Sequence, residues 1–200
     1  MRSITAWLAV TGALLLSGCA AFNTLTTEVS SVGEWPAERQ PGGFAFERLP
    51  SQQAQAAHTE ALEAAALGAL LKAGFTPAAP GQEPDVLIQV GARNRLTAVQ
   101  VWDDPYGWRG GYGYGYWRYG SWGSPYWGMS MAYSVPRYDR EVALLIRDRA
   151  SGKPLFEARA SSEGSGSPGT RTLAGMFEAA LMDFPRLGVN PRRVVVTLPE

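Results

Sequence analysis

The stretch from Trp102 to Tyr138 most limits what this chain can fold into. It holds all eight Tyr and five of the seven Trp, punctuated by Gly as in Gly110-Gly111-Tyr112-Gly113-Tyr114-Gly115-Tyr116. No apolar period of 2 or 3.6 survives there, so neither a half-buried strand nor an amphipathic helix is written in it. Dense Gly also raises the entropy of ordering the chain. We read residues 102–138 as a low-complexity insert carried as a loop. A core must then come from the blocks on either side.

The first block opens with a β-branched run, Leu25-Thr26-Thr27-Glu28-Val29, read as a strand. Trp35-Pro36 to Gly43 is a loop, and Phe44 and Phe46 then share one face of a second strand. Gln52 to Ala73 is dense in Ala, Leu and Glu, which predicts a helix, with Ser51 as its cap and Gly74 just past its end. Its amphipathic pattern is broken, because Glu63 falls on the arc between Leu70 and Leu67. Phe75 to Pro84 is a Pro-rich link. Asp85-Val86-Leu87-Ile88-Gln89-Val90 has few polar breaks and belongs in the sheet interior, with room to run on to Val101.

The second block repeats the order. Glu141 to Arg147 and Leu155 to Ala160 are strands joined by a turn in which Gly152 suits a positive φ. Phe156, Ala158 and Ala160 point inward. Leu173, Met176, Phe177, Ala180, Leu181 and Phe184 recur at helical spacing, and Pro185 stops that helix. Val194, Val196 and Leu198 share one face of a last strand. The fold expected is α+β: a two-layer sandwich with one mixed or antiparallel sheet of 5–6 strands and two helices on one face, in ββαβ-insert-ββαβ order.

The amino terminus supplies an address. Met1-Arg2 is followed by an apolar run to Leu16, shorter than the roughly 20 residues that span a bilayer. The run ends in Leu16-Ser17-Gly18-Cys19, which resembles the lipobox of bacterial lipoproteins. Small Ser17 and Gly18 leave room for a peptidase, and the Cys19 thiol can carry a diacylglyceryl thioether. Residues 1–18 are then a signal peptide, 19–24 a lipidated tether and 25–200 a single domain. In such lipoproteins an Asp after the Cys resembles an inner-membrane retention signal. Ala20 stands there, which implies the outer membrane, facing the periplasm.

The same Cys narrows the chemistry. It is the only one, so its acylation leaves no thiol for a disulfide, a metal or a nucleophile. Without Arg2 the chain has 17 basic and 18 acidic residues, a net charge of −1 that gives no reason to expect nucleic acid. His58 is the one His, in a polar stretch of helix, where a solvated side chain is the ordinary reading. Zinc sites of usual composition and Ser-His-Asp catalysis lack their parts. Asp103-Asp104 could hold a hard cation with Asp139 or Glu141, although a polar turn before Pro105 explains them as well. Gly110 to Gly115 matches a phosphate loop in Gly content only, without the Lys-Ser/Thr end.

Several short pieces resemble one family, the bacterial lipoproteins that carry domain of unknown function 4136. They are Leu70-Leu71-Lys72-Ala73-Gly74-Phe75, Pro84 to Ile88, Leu145-Ile146-Arg147-Asp148 with Ser151-Gly152-Lys153-Pro154-Leu155, and Asp183-Phe184-Pro185. Phe156 stands where such proteins tend to have Trp, and the aromatic insert is long. The resemblance implies the lipoprotein address and no activity, so it transfers no functional residues.

The expectation is a non-enzymatic lipoprotein, held in the membrane by its lipid, without cofactor or metal, that braces or binds an envelope partner. A second reading is a glycan or peptidoglycan module, with Trp108, Tyr112, Tyr114, Tyr116, Trp117, Trp122, Tyr126 and Trp127 as ligand contacts, because Tyr and Trp pair a flat apolar face with a polar handle. A hydrolase is the weakest reading. Intact mass of the purified protein should place the mature amino terminus at Cys19 with added acyl chains. Cys19→Ser should block acylation and misprocess the chain, and an unmodified or differently placed terminus refutes the lipobox.

Overall fold

The computed structural model of the chain describes residues 23–102 and 132–198. In chain order these form β1 (Thr24–Gly33), β2 (Gly43–Phe46), α1 (Pro50–Gln53), α2 (Ala56–Lys72), β3 (Thr76–Pro77), β4 (Val86–Trp102), β5 (Ala132–Asp148), β6 (Pro154–Gly164), α3 (Thr170–Leu181) and β7 (Arg192–Thr197). The strands make one mixed sheet of seven, ordered β3-β2-β4-β5-β6-β1-β7. β2 is parallel to both β3 and β4, and all the other pairs are antiparallel.

The period-2 patterns fix which face is covered. Val29 lies opposite Ala160, Ala160 opposite Val142, Leu144 opposite Ala158 and Val90, and Ile146 opposite Ile88. All of these side chains are buried. α3 lies against β1, β5, β6 and β7, while α2 packs on β4 and along α3, so both helices cover that same face. Leu173 and Phe184 flank the fully buried Met176 and Phe177, as the helical spacing predicts.

Glycine stands where the backbone requires it. Gly74 follows α2 with φ +94° and Gly152 turns β5 into β6 with φ +68°, both in the region that L side chains rarely adopt. At the end of the core away from β1's start, Trp35, Phe75, Phe156 and Phe184 meet edge to face or tilted, with Trp35–Phe184 centroids 4.8 Å apart.

The architecture departs from the sequence reading at four places. The sheet has seven strands rather than 5–6, the extra one being Thr76–Pro77 inside the Pro-rich link. The helix expected over 52–73 is broken at Ala54-Gln55 into α1 and α2, which makes three helices. Ser51 is not the cap, since Pro50 opens α1 and the Gln52 side chain accepts the Leu49 amide at 2.9 Å. Both rims of the expected loop 102–138 are strand: β4 runs through Trp102 and β5 begins at Ala132.

Phe177 sits at 0% exposure beneath the helix layer. Truncating a fully buried Phe leaves a cavity that the surroundings fill only partly. Phe177→Ala should therefore cost about 3 to 5 kcal/mol in a urea titration. A loss of only a few tenths would mean that α3 presents another face.

Candidate functional site

One sheet face is covered by helices, and the other carries the polar side chains. Its cross-strand rows follow from the register. Arg193 lies opposite Glu28, Glu28 opposite Ser161, Ser161 opposite Glu141, and Glu141 opposite Arg93. This single row spans five strands, with an Arg at each end, a Glu inside each Arg and Ser161 at the centre. Directly opposite side chains on one face stand about 4.5–5.5 Å apart at Cβ. The next row brings Arg95, Asp139 and Glu163 into line.

Most of these charges hold partners already. Arg93 Nη2 donates to Glu141 at 2.7 Å, Arg137 Nη1 to Glu163 at 2.7 Å, and Thr97 Oγ1 to Asp139 at 2.9 Å. Arg193 has no such partner among the described residues. A cleft of about 640 Å³ opens beside these rows, and Thr26, Glu28, Asp139, Ser161, Glu163 and Arg193 are among its lining residues, as are Arg140 and Arg192. Arg140 Nη2 donates to the Gly166 carbonyl while its buried Nε has no partner. Arg192 Nε lies 2.6 Å from Asp183 Oδ2, an ion pair whose geometry is not that of a hydrogen bond.

Chemically the cleft offers hydroxyls, carboxylates and guanidiniums on a rigid sheet. That set suits recognition of a polar surface. Asp139 and Glu163 stand opposite each other, each held by its own donor. No group of three or more His, Cys, Asp or Glu that could hold a metal exists among the described residues.

The residues singled out from sequence fall as follows. Cys19, Asp103, Asp104, Trp108, Tyr112, Tyr114, Tyr116, Trp117, Trp122, Tyr126 and Trp127 lie outside the described residues. His58 is exposed near the start of α2, and Asp139 and Glu141 lie on the open face with the partners given above. The cleft was not legible in the sequence, because Arg193, Glu28 and Ser161 come from three separate strands. The only local hint was their place on the outward side of each alternating run.

Two further ionic clusters are structural. Glu63, which broke the pattern of its helix, is 9% exposed and receives both Nε and Nη2 of Arg48 at 2.7 Å. That bidentate contact pushes the Arg48 guanidinium further up. At the β5–β6 turn the Ser151 hydroxyl, Arg39 and the Ser151 amide, at 2.6, 2.7 and 2.8 Å, hold the Asp148 carboxyl well below the usual carboxylate range.

A depressed carboxyl contributes stability above its unfolded pKa and loses it as the pH falls towards the folded value. The gap in stability between wild type and Asp148→Asn should be constant from about pH 8 to 5 and shrink below about pH 4, near the unfolded value of 3.9. Urea titrations across that range check it, and a gap that ignores pH would exclude Asp148 as the ionised partner.

The chain matches the family described as Domain of unknown function (DUF4136) over residues 21–186. No curated protein matches it. Among solved structures it is similar to a PDZ domain protein from Parabacteroides distasonis, with 13% identity and a TM-score of 0.51, covering 86% of this chain. It spans only 38% of that protein's length. It is also similar to a PelC dodecamer from Paraburkholderia phytofirmans, at 11% identity and a TM-score of 0.37, covering 78% of this chain and 95% of that one. At these identities the likeness to the PDZ domain protein concerns the fold alone.

Proposed function

This chain belongs to the family described as a domain of unknown function, DUF4136, and from that premise we propose that it is a non-enzymatic, lipid-anchored module of the bacterial outer membrane. It faces the periplasm and binds an envelope protein on the open face of its sheet. One observation carries the reading: the polar cleft between Thr26, Glu28, Ser161, Glu163 and Arg193 is built on rigid strands of one sheet. The Arg-Glu pairs at the two ends of a row across five strands would fix the register of a partner more than they add to raw affinity. Acylation of Cys19 would hold that face at the membrane, since two or more chains give stable anchoring.

A second reading is a glycan or peptidoglycan module. Its support is that Asp139 and Glu163, which line the cleft, stand one pair before the β5–β6 ladder ends at Tyr138–Gly164, beyond which β4 and β5 continue towards residues 103–131. The aromatic contacts named from sequence lie on that connection.

Exposed Glu28 and Arg193 provide the test. Charge reversal at both, Glu28→Lys with Arg193→Glu, should leave stability within about 0.5 kcal/mol, as surface changes usually do. Crosslinking in whole envelopes should then lose the protein partner that the wild type captures. Capture of the same partner by the reversed variant would exclude the open face. Capture of muropeptides alone would favour the second reading, and their turnover would overturn the non-enzymatic one.

A further inference from the structure

β4 is longer than the strand that covers it. Its outer neighbour, β2, pairs with it only from Phe44–Val86 to Phe46–Ile88. Past Ile88 no described strand lies on that flank. On the other flank the pairing with β5 runs on without a register break. Two bonds show which residues turn their backbone to the open flank. Glu47 donates its amide to the Ile88 carbonyl at 2.9 Å, and Gln52 Nε2 donates to the Val90 carbonyl at 2.7 Å. Backbone groups alternate in direction along a strand, so Ala92, Asn94 and Leu96 come next. Their N–H and C=O groups face away from β5.

A free edge of this kind is a template for another chain, and folds commonly blunt it with proline, a bulge or a cover. Residues 92–97 hold no proline and no bulge. Arg93, Asn94, Arg95 and Thr97 are exposed, and Leu96 is 60% exposed. The run is bounded at one end only, where the Gln52 side chain of α1 occupies the Val90 carbonyl.

The side chains along this edge define what fits it. Arg93 and Arg95 share the open face of the sheet with Gly91. Arg93 reaches back to Glu141 on β5, and Arg95 holds no ion pair or side-chain hydrogen bond among the described residues. An added strand would meet these two cations first, with its own side chains about 4.5–5.5 Å from theirs at Cβ. Asp139 and Glu141 lie one strand further in. Two residues before Arg93 a hollow of about 240 Å³ lies over Gly91, with Leu49, Ala143 and Leu145 among its lining residues. A Cβ at Gly91 would meet nothing within 4 Å, and Leu49 is 50% exposed. Main-chain bonds with pockets at alternate positions are the means by which a sheet edge selects an extended peptide.

We propose that the free edge of β4, from Ala92 to Thr97, takes up an extended acidic segment of another protein as an added strand. Its carboxylates stand opposite Arg93 and Arg95, and an apolar side chain two residues further enters the hollow over Gly91. A second copy of this chain is a poor occupant. Antiparallel pairing centred on this run would set Arg93 and Arg95 against the same cations, and like charges directly opposite are destabilising. The proposal depends neither on the lipid anchor nor on the open-face reading, because it uses the edge of the sheet.

Amide exchange of the full-length protein, followed by NMR, tests it. The probe is a capped peptide, Val-Glu-Thr-Glu-Val-Leu, written to run antiparallel to β4 with its Leu opposite Gly91. Exchange at Ala92, Asn94 and Leu96 should slow about tenfold when the peptide stands at ten times its Kd. Exchange at Gly91, Arg93 and Arg95 should change little, since those amides already face β5. The peptide N-methylated at its Thr, and a version with Lys for both Glu, should each bind at least tenfold more weakly. Arg95→Glu should reverse the preference between the Glu and Lys versions. An edge that gains no protection from the Glu peptide overturns the proposal. Equal protection by the Lys version overturns the acidic occupant. Protection that grows with protein concentration alone gives the edge to a second copy and overturns the proposal as well.

Discussion

Burial on a single face of one sheet is the constraint from which the rest of this structure follows. The strands β4, β5, β6, β1 and β7 present side chains of one parity to α2 and α3, and the opposite parity stays outside. A one-residue slip in any pair would turn that strand's apolar set to water. Small residues let α3 come close. Gly175, Ala179 and Ala180 are buried, and a Cβ at Gly175 would meet Leu198 and Leu25. The open face is the necessary complement. Because no described helix or strand covers it, its rows are free to carry the charges that form the candidate site.

The same constraint explains what the sequence made legible. α3 turns its large apolar side chains to one side, so its spacing of Leu173, Met176, Phe177 and Leu181 could be read directly. β6 and β7 are covered on one side, so Phe156, Ala158, Ala160, Val194 and Val196 alternate. α2 hid its face because Glu63 is turned inward to meet Arg48 from the chain before α1. A buried, paired carboxylate looks polar in a pattern and behaves as core in the fold. β3 was illegible because two residues, one of them proline, carry no period.

The extension of β4 to Val101 was anticipated, but the first residues of β5 were missed for a more general reason. Alternation records burial of one face, and beyond Tyr138–Gly164 β5 no longer pairs with β6. Tyr133, Pro136 and Tyr138 carry no period of 2, so Ala132 to Tyr138 reads as more of the aromatic tract. The cleft was hidden by a different limit. Its residues lie far apart in sequence, and only the register of four antiparallel strands brings Arg193, Glu28, Ser161 and Glu141 into one row.

The two ends of the sheet have opposite characters. At one end Trp35, Phe44, Phe75, Phe156 and Phe184 close the core edge to face or tilted, and Arg39 and Asp148 pin the chain outside them. Such pairs add stability beyond the area they bury. At the other end, among the described residues, β4 and β5 run on to Trp102–Ala132 paired with each other, beside the start of β1. The buried core of the described residues is drawn from the strands between these two ends and from α2 and α3.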